Sequence, residues 1–91
     1  MGKFAKLYEI GDEQLLVMTQ QNDDGDPQVA CITEIDGIEM KVAPTFEPKG
    51  KGNDAFDKAW SAADKYFDSF DQDKAEEIRA GMVKSFEELA R

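Results

Sequence analysis

Val29-Ala30-Cys31-Ile32-Thr33-Glu34-Ile35-Asp36-Gly37-Ile38-Glu39-Met40-Lys41-Val42 reads as two strands joined by a very short turn. Asp-Gly between alternating apolar residues marks a two-residue type I′ hairpin, because both central positions need φ > 0 and these residues tolerate it. That turn puts Val29, Cys31, Thr33 and Ile35 on one face with Ile38, Met40 and Val42, while Glu34, Glu39 and Lys41 point the other way. Alternation at period two predicts a sheet with one face buried.

Upstream, Phe4 to Ile10 and Gln14 to Gln20 predict a second hairpin turning at Gly11-Asp12. Its second strand breaks the alternation, since Leu15-Leu16-Val17-Met18 is continuously apolar. Such a run suits a central strand covered on both sides, or a strand with an interface on one side. Asn22 to Pro27 is a loop, rich in residues that each favour turns.

Downstream, the text changes from strands to helices near Phe46. Pro44, Pro48, Gly50 and Gly52 mark the crossing. Asn53 or Asp54 is the expected N-cap of a first helix, with Asp57 in its first turn. Phe56, Trp60, Ala63, Phe67 and Phe70 follow helical spacing and form one apolar stripe. Trp60 is expected to anchor the core between helix and sheet. Ser69 to Asp73 breaks the helix, and Asp73 with Glu76 reads as a capping-box variant that starts a second one. Ala75, Ile78, Met82, Phe86 and Leu89 give its buried stripe. Gly81 interrupts it and is expected to admit a close backbone neighbour. Strands followed by helices predict an α+β fold. The expected form is a four-stranded antiparallel β-meander followed by an α-helical hairpin packed on one sheet face, β-β-β-β-α-α. It is expected as a single domain over 1–91, with sheet in 1–46, connector in 47–53 and two helices in 54–91.

The charge narrows the function. Twenty Asp and Glu face eleven Lys and Arg, a formal balance of −9 in 91 residues, with no histidine. Phosphate backbones and anionic lipids repel a surface of that sign, so neither nucleic acid nor a membrane is expected as a direct partner. No run of about 18 apolar residues is present. Met1 to Lys6 has no apolar stretch behind it, unlike a signal peptide, and Lys6 stands where a myristoylation motif has Ser or Thr. A lone cysteine, Cys31, fits a reducing compartment, and a cytoplasmic location is expected.

Motifs that carry chemistry are mostly excluded. An EF-hand with Gly25 as its invariant glycine would begin at Gln20 and close on Cys31, so its bidentate Glu is missing. Zinc lacks Cys and His ligands. Gly50-Lys51-Gly52 has the wrong spacing for a P-loop, and Lys49 with Lys51 reads as a solvated basic island. Cys31 falls on the apolar face with no histidine to activate it, which predicts a buried, inert thiol. Among so many carboxylates, chance pairs carry no information about acid–base catalysis. No enzyme activity and no cofactor are expected.

What is left is a row of acids. At about 100° per residue, Asp57, Ser61, Asp64, Asp68 and Asp71 fall within an arc of about 80°, beside the apolar stripe. Lys58 and Lys65 lie on the side away from that stripe. Asp64 and Asp68 are one turn apart, about 6 Å along the axis, which resembles the spacing of phosphates along a strand. Glu76, Glu77, Glu87 and Glu88 add charge on the second helix, where Glu87 and Arg91 are spaced to pair. The row is either a solvated face that keeps a small domain apart from its neighbours or a nucleic-acid-like surface for a basic protein partner. The second reading predicts a non-catalytic inhibitor or antagonist of a nucleic-acid-handling protein, with Asp57, Asp64, Asp68 and Asp71 as the partner-binding residues. Small acidic nuclease inhibitors and immunity proteins act in this way, although no motif here matches one. The alternative is a structural or assembly subunit, a homo-oligomer held by the apolar Leu15–Met18 strand or a helix face. A small acid-rich enzyme ranks last.

Overall fold

Asp36 and Gly37 take φ of 53° and 79°, as a type I′ turn requires. The turn sets β3 (Pro27–Ile35) antiparallel to β4 (Ile38–Val42), with Ile35 opposite Ile38 and Cys31 opposite Val42. The computed structural model describes residues 5–90, so Phe4 and the expected Glu87–Arg91 pair lie outside the described residues or depend on them. The other hairpin joins β1 (Ala5–Ile10) to β2 (Glu13–Gln21). Gly11, at φ 63°, is its first turn residue. The sheet is a meander in the order β1-β2-β3-β4.

Two helices follow, α1 (Asn53–Asp68) and α2 (Gln72–Leu89). They lie on one face of the sheet, α1 over β2 and β3 and α2 over β1 and β3. The backbone forms a slab of 43 × 29 × 17 Å, the thickness of one sheet and one helical layer. Among the described residues, no helix is long and apolar enough to cross a membrane.

Leu15, Val17, Val29, Cys31 and Ile35 from the sheet close on Ala63, Phe67, Phe70, Ala75 and Met82 from the helical side. Small residues at Ala63 and Ala75 let the helix backbones come close to the strands, and Phe67 and Phe70 fill the space between. Among the described residues Thr33 is the one buried polar side chain, and its hydroxyl is fully used. It donates to the Gln14 carbonyl at 2.7 Å and accepts from Arg79 Nε at 2.9 Å. Arg79 also donates to the Glu34 carbonyl and reaches the Glu13 carboxylate at 3.6 Å, tying α2 to the sheet.

The turn between the helices is held from β1. Lys6 Nζ donates to the Phe67 carbonyl at 2.9 Å and the Phe70 carbonyl at 3.4 Å, and sits 4.7 Å from the Phe67 ring centre. A cation there complements the negative end of α1. Lys74 covers the Tyr66 ring at 4.3 Å and the Phe70 ring at 5.0 Å. The connector continues the sheet past β4: Phe46 N–H donates to the Pro27 carbonyl and Val29 N–H to that of Pro44.

Several details correct the sequence reading. The N-cap of α1 is Gly52, at φ 98°, so Asn53 is already helical and Asp57 lies beyond the first turn. The cap of α2 is Asp71, whose carboxylate accepts from Lys74 N–H at 2.9 Å; Asp73 stands in the first turn. Trp60 is half-buried and stands outside the core cluster, stacked edge-on against Phe56 with 6.4 Å between ring centres. The buried line of α1 runs instead through Ala59, Ala63 and Phe67. Leu89 is 79% exposed, because α2 runs past the sheet. Gly81 is exposed with open space around it and admits no close neighbour. Ile38 and Val42 lie on the core face by register but stay exposed, since neither helix extends over β4.

Candidate functional site

Helix α1 buries one stripe and leaves the adjoining arc to solvent. Asp57, Asp64 and Asp68 occupy that arc and are exposed, as is Ser61. Asp57 and Asp64 are about 10 Å apart along the axis, and Asp64 and Asp68 about 6 Å. Among the described residues none has a cation within 4.0 Å, and the one ion pair at that distance joins Arg79 to Glu13. Lys6 and Lys74, the cations that contact the helix turn, are engaged with carbonyl groups and aromatic rings. A row of like charges raises the free energy of the isolated protein by self-repulsion, and a cationic surface would relieve it.

Asp71 does not belong to this row. The helix ends at Asp68, and Asp71 reaches φ −138° and ψ −175° to cap α2. Its side chain has a structural task, satisfying a free backbone N–H. Its negative charge also reaches Tyr8, whose phenol is held above its ordinary range first by burial and then by Asp71. The sequence placed Asp71 by extending one helix through a break that Ser69 and Phe70 impose.

The other sequence candidates are accounted for locally. Asn22 organises the acidic loop: its Oδ1 accepts from Asp24 N–H at 2.9 Å and Asp26 N–H at 2.8 Å. The side chains of Asp23 and Asp24 are exposed. Cys31 is 1% exposed, and burial pushes its thiol up against a smaller opposing pull from the Lys74 charge. Among the described residues, no cluster of His, Cys, Asp and Glu is placed to hold a metal ion. Tyr66 turns inward between Phe46 and Phe70. Ala62 stays exposed and lines a shallow depression of about 420 Å³ with Phe46, Pro48 and Ala59.

A second surface was visible in the sequence only as the unbroken Leu15–Met18 run. Leu15 and Val17 face the helices and are fully buried, whereas Leu16 and Met18 face the opposite side and are only half-buried. Among the described residues no layer covers that side, and Leu7, paired with Leu16, is 58% exposed there. Comparison of the chain with known protein families, with curated proteins and with solved structures finds no match.

Proposed function

We propose that this is a non-catalytic acidic binding protein that blocks or escorts a basic-surfaced, nucleic-acid-handling protein. The observation that carries this reading is the exposed, unpaired row of Asp57, Asp64 and Asp68 on α1. A row of fixed carboxylates on a rigid helix, in a chain of net charge −9, suits a groove built to hold phosphates.

Capture of a basic protein by the tagged chain, released as salt rises, is the first expected result. The decisive comparison follows with that partner purified. Asp57→Asn, Asp64→Asn and Asp68→Asn together keep the fold and remove three negative charges. Association at low salt is expected to slow by about tenfold, with little change in the off-rate. A variant neutralised at Asp23, Asp24 and Asp26 is expected to bind normally. If the loop variant loses binding and the helix variant keeps it, the row on α1 is only a solvated face.

The alternative, an assembly subunit that pairs with its own copies, has one observation in its favour: the uncovered apolar side of β2. Equilibrium sedimentation that finds a monomer at all concentrations removes it.

A further inference from the structure

The sheet face turned away from the helices is divided into an apolar half and an acidic edge. The register sets Ala5, Met18 and Ala30 in one row across the strands, and Leu7, Leu16 and Ile32 in the next. The row beyond that holds Glu9 opposite Gln14, and Glu34 opposite Glu39. Leu7, Leu16, Ile32, Glu34 and Glu39 together line a shallow depression of about 410 Å³.

Two features of this face are unfavourable in the isolated chain. Leu16 and Ile32, on the two central strands, remain half-open, and Leu7 beside them is 58% exposed. An antiparallel sheet that ends in solvent on one side normally alternates to polar residues there. Glu34 and Glu39 stand directly across from each other, a like-charged pair that weakens a sheet. Neither has a cation within 4.0 Å among the described residues. The cation on the open face is Lys41, opposite Ile32 at the far end of the apolar row.

We infer that this open face docks a basic amphipathic helix of a partner protein. Its apolar side chains would lie over Leu7, Leu16 and Ile32, and its Lys or Arg side chains would reach Glu34 and Glu39. Such a helix supplies the second covering layer that the sheet lacks, by the helix-in-groove mode of recognition. Charge selects this occupant over a second copy of the chain. A copy would bring another net charge of −9 and its own Glu34–Glu39 pair to the contact, with Lys41 as the one cation of that face among the described residues to offset them. The inference rests on the sheet and its register, and is independent of the acids on α1.

The test uses a fluorescent synthetic peptide of about 18 residues, roughly five helical turns, with a leucine stripe and lysines beside it. Two control peptides have the lysines replaced by glutamates, or the leucines replaced by serines. Anisotropy at low salt is expected to show saturable binding of the Leu/Lys peptide alone. Leu7→Asn, and separately the pair Glu34→Gln with Glu39→Gln, are each expected to weaken it by about three- to tenfold. The glutamine pair removes a repulsion, so its fold is expected to hold; far-ultraviolet circular dichroism checks this. Repeated at about 0.1 M salt, where the screening length of roughly 10 Å is shorter than the 17 Å thickness of the slab, the Asp57→Asn, Asp64→Asn, Asp68→Asn variant is expected to bind the peptide within about twofold of the parent. The inference is overturned by equal binding of the serine peptide, by absence of Leu/Lys binding, or by binding that only the α1 variant loses. A dimer that Leu7→Asn dissociates also overturns it, assigning the face to a second copy.

Discussion

Phe67 and Trp60 lie on the same helix at helical spacing, yet only one is a core residue. Phe67 is 4% exposed, between the sheet and the Lys6 ammonium, whereas Trp60 contacts Phe56 outside the buried cluster. Phe67→Ala is expected to cost about 3–5 kcal/mol, a large share of the roughly 5–15 kcal/mol that holds a domain together. Trp60→Ala is expected to cost less, about 1–2 kcal/mol, since Trp60 is only half-buried and stands outside the core cluster. Urea denaturation of both variants checks the order; equal losses would return Trp60 to the core. Cys31 makes a prediction in pH. Its folded-state thiol is held above the ordinary range by burial. Below pH about 8.5 both folded and unfolded chains keep the proton and the difference has no effect. Above it the unfolded chain ionises first, so stability falls until the raised folded value is passed. Tyr66, raised by burial and then by the Cys31 charge, extends the loss to higher pH. Denaturation between pH 7 and about 10 is expected to show that decline, and Cys31→Ala to flatten its first part. A thiol reagent is expected to label Cys31 only in denaturant.

At the scale of elements, the turn from α1 to α2 is held by contacts far apart in sequence. Asp71 caps α2, while Lys6, from β1, caps the carbonyl end of α1. Asp71→Ala is expected to cost about 1 kcal/mol and Asp71→Asn only a few tenths, because Asn accepts the same N–H. Lys6→Met is expected to cost about 1–2 kcal/mol through the lost carbonyl partners. Gly81 is the opposite case. Its surroundings would leave an added Cβ in open space, and its backbone is that of a helix interior. Gly81→Ala is expected to add about 0.5–1 kcal/mol by reducing the freedom of the unfolded chain. A lower melting temperature for that variant would show that Gly81 serves something other than the folded monomer.

Over the whole molecule, charge acts against the fold. All the Asp and Glu side chains except that of Asp26 are exposed, and the chain carries −9. Raising salt from about 10 mM to about 0.1 M shortens the screening length from roughly 30 Å to roughly 10 Å, which is less than the slab's longer dimensions. The melting temperature is therefore expected to rise with sodium chloride. A fall would mean that local attractions, such as Arg79 to Glu13 and Lys6 to α1, outweigh the repulsion. The slab has one helical layer, so its two large faces differ: an acid-bearing helical side and a part-apolar open sheet side.

Patterns that depend on near neighbours were legible in the chain itself. The Asp36-Gly37 turn, the alternation of Val29 to Ile35 and the burial of Cys31 follow from a strand's period of two and the left-handed tolerance of Asp-Gly. The exposure of Asp57, Asp64 and Asp68 follows from helical spacing beside an apolar stripe. What the periodicity left undecided was where each element ends and what covers it. Asp71 left the acid row because the backbone leaves the helix after Asp68, and a carboxylate there finds a free N–H. Leu89 lies on an apolar stripe at the end of α2, and Trp60, in the middle of α1, lies to one side of the buried Ala59–Ala63–Phe67 line, so neither joins the core cluster. Leu16 and Met18 were ambiguous because a continuously apolar strand looks the same whether its second face is covered or open. Only the placement of both helices on one side of the sheet decided it, since burial is a property of the assembled layers and not of any one segment.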